Sequence, residues 1–280
     1  VIAVSRWSSE AAERALNDVG VETLRCDLLD PDAVARLPDA PNVIFMAGQK
    51  FGTAEAPAMT WATNTIVSAH CAHRYRDSRI VAFSTGNVYP LTPVEHGGSR
   101  EDDTPGPVGE YAGSCLGRER VFEFYAVRHH TRVATCRLNY AIELRYGVLI
   151  DIALKVYGGE PVSVEMGYVN VIWQGDASRI ALECLRLASS PPFVVNVTGA
   201  DILSVRDLAE WFAERFGKRA RFVGTERPDA LLSNTSRMRE TFAAPEVSLD
   251  QMREWVAPWI EQGGRLLGKA TRFEARDGRF

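Results

Sequence analysis

The sequence predicts an α/β protein, a doubly wound and mostly parallel sheet followed by a smaller C-terminal lobe. Three observations carry that expectation. Short apolar runs alternate with longer helical patterns as far as about residue 140, the order that builds a parallel sheet with helices on both faces. Beyond that point the alternation loosens, as a lobe added to the sheet would require. The 280 residues, 46% hydrophobic and 24% charged, suffice for a substantial core and have an ordinary globular composition.

Each element has a local reason. VIAVS (1–5) reads as a buried strand, and because a chain rarely opens in mid-strand, the pattern is expected to begin upstream of Val1. Ser8 or Ser9 caps the next helix, which stops at Gly20. VETLR (21–25) is the second strand, and Asp30 followed by Pro31 opens a short helix with an N-cap and a proline in its first turn. NVIFM (42–46), RIVAFS (79–84) and RVATCR (132–137) are further strands, separated by apolar stripes at 57–76 and 110–129. In the second half, Ser204 with Asp207 opens a helix bearing Leu208, Trp211 and Phe212 and ending at Gly217. Ser248 with Gln251 opens another, with Met252, Trp255 and Trp259, expected to kink at Pro258. A late strand, FVVNV (193–197), and a helix over 176–188 are expected to return to the main sheet. The expected division is a core over 1–140 and a lobe over 141–280, with a Gly- and Arg-rich tail from Gly263 loosely held.

Composition excludes several classes of partner. A net charge of −4 and a pI near 5.8 give no electrostatic footing for nucleic acid or an anionic membrane. No apolar run approaches the ~20 residues that span a bilayer. The cysteines, Cys26, Cys71, Cys115, Cys136 and Cys184, are scattered singly. That spacing argues against a zinc site and a disulfide framework, and suits a reducing cytoplasm. No metal is expected.

The motifs lie on the first half. VAFSTGNVYP runs from strand into loop, and EYAGSCLGRER, from Glu110, opens a helix. The pair resembles the extended short-chain dehydrogenase/reductase family, the sugar-nucleotide epimerases and dehydratases, and the resemblance extends over nearly the whole chain. It implies a Rossmann-type dinucleotide-binding core over 1–140, a substrate lobe over 141–280, and acid–base chemistry on a hydroxyl or ketone by Tyr111 and Thr85. FMAGQKFG (45–52) resembles the family's F-A-G-x-K-x-x-G, so Ala47 and Gly48 would admit a dinucleotide backbone and Lys50 would reach its phosphate or ribose. Asn64 falls near the nicotinamide end, and Asp27 and Leu28 near adenine, with local capping as the plainer reading of Asp27. Ser5 and Arg6, at the end of the first strand, suit a 2′-phosphate, so NADP is favoured over NAD.

The sequence departs from the family pattern in four places. The glycine fingerprint G-x-x-G-x-x-G is absent, and by analogy with a strand–turn–helix unit ~25–30 residues are expected ahead of Val1. Cys115 stands where Y-x-x-x-K has lysine; it reads either as a small residue facing the strand or as a thiol beside the substrate. Gly86 and Asn87 replace the Asp-Glu pair of the 4,6-dehydratases, leaving Asn87, with Asn139, to hydrogen-bond a substrate hydroxyl. Val169 replaces an arginine of the late family string, while Asp176 is expected to cap the helix that follows.

The expected function is an NAD(P)-dependent epimerase/dehydratase-type oxidoreductase acting on a sugar or nucleotide sugar. The alternatives are a reductase of a small non-sugar carbonyl compound and a dinucleotide-binding pseudoenzyme. The resemblance also implies a homodimer paired through the helices that carry Trp61, Phe122 and Tyr125.

Overall fold

The computed structural model describes residues 1–279. Its principal elements, in chain order, are β1 (Ile2–Ser5), α1 (Glu10–Asn17), β2 (Glu22–Arg25), α2 (Pro31–Ala35), β3 (Asn42–Phe45), α3 (Pro57–Trp61), α4 (Val67–Arg74), β4 (Arg79–Thr85), α5 (Gly109–His129), β5 (Arg132–Leu138), α6 (Val148–Gly158), α7 (Gln174–Cys184), β6 (Phe193–Val197), α8 (Val205–Arg215), α9 (Ser236–Thr241) and α10 (Leu249–Glu261). The central sheet is parallel with strand order β6-β5-β4-β3. β1 and β2 pair in parallel with each other in a separate two-stranded sheet. The strands read as one sheet in the sequence are therefore divided two and four.

Period-two alternation decides which side chain enters which layer. On β4, Ile80 and Ala82 face one way and pack with Phe45, Val67, Cys71, Phe122 and Val133 beneath α4 and α5. Val81 faces the other way and packs with Ala134, Cys136 and Val195 against Ala177, Ile180 and Cys184 of α7. Thus α7 covers the second face of the sheet. The third core, built on Ile150, Ile152, Phe212, Leu232, Val256 and Phe273, joins α6, α8 and α10.

The caps form where the sequence places them. Ser9 accepts from the Ala12 amide, Asp30 from Asp32 and Ala33, Ser204 from Asp207, and Ser248 with Gln251 forms a full capping box. α10 runs through Pro258 to Glu261. Asp176 differs from expectation. It does not cap α7; its carboxylate accepts from the Glu246 and Val247 amides and ties down the approach to α10.

Two further expectations are corrected. The tail is held, not loose: the Asp151 carboxylate accepts from both the amide and the hydroxyl of Thr271, and Phe273 is 2% exposed. Arg276 donates to Glu165 and Asp229, and Gly278 lies so close to Gly109 that a Cβ there would sit 2.5 Å from its carbonyl oxygen. Phe122, expected on a pairing face, is wholly buried against Phe45 with ring centroids 5.2 Å apart.

A buried ion pair locks α5 to the sheet. Arg137 on β5 donates from Nη2 to Glu119 Oε2 at 2.8 Å, with both side chains under a tenth exposed. Arg137 also donates to the Tyr89 hydroxyl, which donates to Asn196. Ser84 at the end of β4 completes the carboxylate's shell. Removing one member leaves the other charged and unpaired, which costs ~3–5 kcal/mol. Glu119→Gln is expected to lower the unfolding free energy by about that amount, read from the urea midpoint at unchanged slope.

Candidate active site

The C-terminal ends of the parallel strands carry the candidate chemistry. β4 ends at Thr85, and the next three residues, Gly86–Val88, form a 3-10 turn capped by its hydroxyl. Thr85 Oγ1 accepts from the Asn87 amide at 3.2 Å and from Asn87 Nδ2 at 3.1 Å. Both lone pairs are thereby used, and the remaining proton is free to point outward.

That proton has a partner. Tyr111, in the first turn of α5, is hydrogen-bonded to Thr85 and to Cys115 one turn later. The contact with Thr85 favours the phenolate and that with Cys115 favours the phenol. The polarity is therefore Asn87 to Thr85 to Tyr111 to Cys115, each donating to the next. Burial pushes the Tyr111 phenol well above its usual range, and the neighbouring thiol adds to this; the charge of Arg118 and the Thr85 bond oppose it. Burial likewise raises the Cys115 thiol, opposed by Arg118 and by the Tyr111 bond. Cys115 is fully buried among Val88, Tyr89 and Leu116.

Asn64 organises the loop after β3. It lies on a π-helical turn, Ala62–Ile66, between α3 and α4, and is wholly buried. Its side chain accepts from the Gln49 amide at 2.7 Å and donates to the Gln49 carbonyl and to Ser114 on α5 at 2.8 Å. The loop is thus clipped to the helix that carries Tyr111. A Cβ on Gly48 would sit 2.5 Å from Arg118 Nη2, so close approach requires glycine there. Ala47 is partly buried beside it.

The other expected residues are placed as follows. Lys50 points toward the lobe and tail, donating to the Thr271 carbonyl at 3.2 Å and the Tyr146 hydroxyl at 3.5 Å. Burial pushes its ammonium down to about 8, with Asp151 opposing. Asn139 is 2% exposed and donates to Asn170 Oδ1. Its side chain lies 3.0 Å from where a Cβ on Gly86 would be, so these two residues pack against each other. Asp27 accepts from the Leu29 amide, a local Asx turn, and the Leu28 carbonyl meets His70 Nδ1. Ser5 and Arg6 are exposed at the end of β1, and the next residue, Trp7, turns back to donate its indole N–H to Leu24. Val169 is fully buried and pairs with Leu203.

Sequence reasoning missed Arg118, Ser114 and Glu119. All three lie on the inner face of α5 and are less than a tenth exposed. The available signal was their spacing from Tyr111: three, seven and eight residues are neighbouring positions on one side of a helix.

The donor set suits a dinucleotide. An exposed guanidinium and hydroxyl at the end of β1, a carboxylate after β2 and a glycine-bearing loop after β3 all lie at strand ends, on the chemistry that takes a phosphorylated ribose and a pyrophosphate.

No family model matches this chain, and no curated protein matches it by sequence. Solved structures do match it. RMD from Pseudomonas aeruginosa complexed with NADPH is 20% identical with a TM-score of 0.76, over 93% of this chain and 99% of its own. The UDP-glucose 4-epimerase of Thermotoga maritima with UDP-glucose is 17% identical with a TM-score of 0.75, over 94% and 99%. A variant of the UDP-glucuronic acid 4-epimerase of Bacillus cereus with NAD is 16% identical with a TM-score of 0.78, over 94% and 91%. At these identities the likeness is one of fold, an α/β Rossmann-type architecture.

Proposed function

We propose that this protein is a nicotinamide-dinucleotide-dependent oxidoreductase of the epimerase/dehydratase type, acting on a hydroxyl or ketone of a sugar or nucleotide sugar. The observation that carries the reading is the directed hydrogen-bond chain from Asn87 through Thr85 to Tyr111 at the C-terminal end of a parallel strand. The solved structures of like fold, with NADPH, NAD or UDP-glucose bound, support it.

The dinucleotide, when bound, supplies the hydride acceptor and donor. Ser5, Arg6, Asp27 and the 47–48 backbone are the groups that would hold it, with buried Asn64 bracing that loop from within. This chain's own residues handle the proton. A substrate oxygen placed between Thr85 and Tyr111 receives the Thr85 hydrogen bond and exchanges a proton with the phenol. Asn87 keeps the threonine oriented by occupying both of its lone pairs. Lys50 donates to the Thr271 carbonyl and so ties the loop after β3 to the tail.

The raised phenol sets how each half-reaction depends on pH. Neutral Tyr111 donates a proton to a ketone oxygen without first ionising, whereas accepting a proton from an alcohol requires the phenolate. The oxidative half-reaction is therefore expected to rise steadily with alkaline pH while the reductive half stays nearly flat through neutrality. Tyr111→Phe is expected to slow both by ~10²–10⁴-fold. Stopped-flow nicotinamide absorbance across pH reads both. Hydride transfer by Tyr111→Phe at the parent rate would exclude this tyrosine as the acid–base residue.

A second reading has its own support: buried Cys115, with its thiol pushed up, offers no charge to the phenol. A dinucleotide-binding protein without turnover would bind cofactor and leave its absorbance unchanged with every sugar and carbonyl offered.

NADP is the proposed preference, because Arg6 is exposed at the end of β1. Arg6→Asp is expected to weaken NADP at least tenfold and to leave NAD unchanged or tighter, measured by calorimetry. Equal NADP affinity in both proteins would remove the assignment.

Pairing of two copies is proposed through the outer faces of α3 and α5, where Trp61, Phe124 and Val127 are exposed. Light scattering is expected to give twice the chain mass; a concentration-independent single-chain mass would exclude it.

A further inference from the structure

Tyr111 must carry negative charge in one direction of the proposed reaction, and burial with the Cys115 thiol one turn along α5 opposes this. The Thr85 hydroxyl on the strand side favours it only as a neutral donor, and Tyr89 packs beside it. None of these is cationic. Lys50, on the neighbouring loop, is drawn away toward Thr271 and Asp151.

Arg118 is the cation that remains. Seven residues after Tyr111 it lies two turns along the same helix face, because seven residues at 3.6 per turn return almost to the starting angle. Arg118 is 5% exposed, and each of its three guanidinium nitrogens donates a hydrogen bond. Nε donates to the Asn64 carbonyl at 3.3 Å, Nη2 to Asn64 Oδ1 at 2.9 Å and Nη1 to the Phe83 carbonyl at 2.8 Å. The Phe45 ring lies 5.7 Å below it, and Gly48 leaves it room on the loop side.

Every one of those partners is neutral. Glu119, the next residue, belongs to Arg137 and Ser84, and no carboxylate among the described residues forms an ion pair with Arg118. A buried cation without a counter-ion is costly. The field of the guanidinium is therefore uncompensated at rest and available to an anion that forms nearby.

We infer that Arg118 is a positioning residue that supplies the positive charge for the Tyr111 oxygen as it becomes anionic, while its donors hold Asn64 and the Gly48 loop in place. The inference rests on the proposed function for its catalytic consequence, but not for the field itself. Arg118 is buried behind the site, with each guanidinium nitrogen donating to backbone or Asn64. It acts through Tyr111, and its charge already favours ionisation of both Tyr111 and Cys115.

The test reads the phenol directly. A difluorotyrosine placed at position 111, whose phenol ionises in an accessible range, is titrated by fluorine NMR in the full chain, without cofactor or substrate. Arg118→Met is expected to raise its pKa by ~1 unit, a tenfold loss of phenolate at a given pH. Arg118→Lys is expected to restore most of that shift. In the enzyme with native Tyr111, the alkaline rise of the oxidative half-reaction should move by the same amount. An unshifted titration in Arg118→Met overturns the inference. So does an equal loss in Arg118→Lys, which would mark a packing role. If Arg118→Met does not fold, Arg118→Gln, which keeps two donors for Asn64, gives the same reading. A shifted titration in a protein that never turns over would sink the proposed function and leave the charge assignment standing.

Discussion

Two adjacent side chains, Arg118 and Glu119, dock α5 on the sheet, and the geometry of the candidate site depends on that docking. They leave the helix about 100° apart, and both go inward. One ends on the Phe83 carbonyl and Asn64, the other on Ser84 and Arg137. The contacts fall on consecutive residues of one strand end, so α5 can neither rotate nor slide by a residue without abandoning a buried charge. With the register of α5 held, Tyr111 falls opposite Thr85. The Asn64 clip carries the same constraint to the loop after β3, since Asn64 joins Gln49, Ser114 and Arg118 at once.

The electrostatics of the site follow from what burial does to each group. A phenol and a thiol in contact, both desolvated, favour the neutral state of each. The Thr85 hydroxyl and the Arg118 guanidinium act the other way. The balance leaves a proton donor at rest, which suits ketone reduction. A helix that carried its cation nearer the phenol would favour alcohol oxidation at lower pH. Arg118 is held by backbone carbonyls and an amide instead of a carboxylate, which leaves its field intact across the site.

The tail ties α6 to the loop after β3 and to the start of α5. Asp151 on α6 holds Thr271, whose carbonyl takes the Lys50 ammonium from the loop after β3. Farther on, Lys155 pairs with Glu274, Arg276 with Asp229, and Gly278 lies against the start of α5. The tail thus runs from the loop that carries Lys50 to the helix of Tyr111. Its Gly and Arg content suggested looseness because composition does not reveal that partners await: Asp151 and Lys155 on α6 for Thr271 and Glu274, and Glu165 and Asp229 for Arg276.

What the sequence determined by itself was local and periodic. Strand–helix alternation, the caps at Ser9, Asp30, Ser204 and Ser248, and the strand-then-helix order of Thr85 and Tyr111 all depend on neighbours within a few residues. Tertiary structure decided the rest. The split of β1 and β2 from the four-stranded sheet is a matter of pairing between distant segments. That Lys50 meets the Thr271 carbonyl, and whether Asp176 capped its own helix or held residues 246 and 247, depended on chain far away in sequence. So did the roles of Phe122 and Arg118. A spacing of seven places Arg118 on the face of Tyr111, but only the arrival of Asn64, Phe83 and Gly48 from three other segments buries its charge without a counter-ion. Periodicity follows from backbone geometry and is written in the chain; partners follow from packing, and packing exists only once the chain has folded.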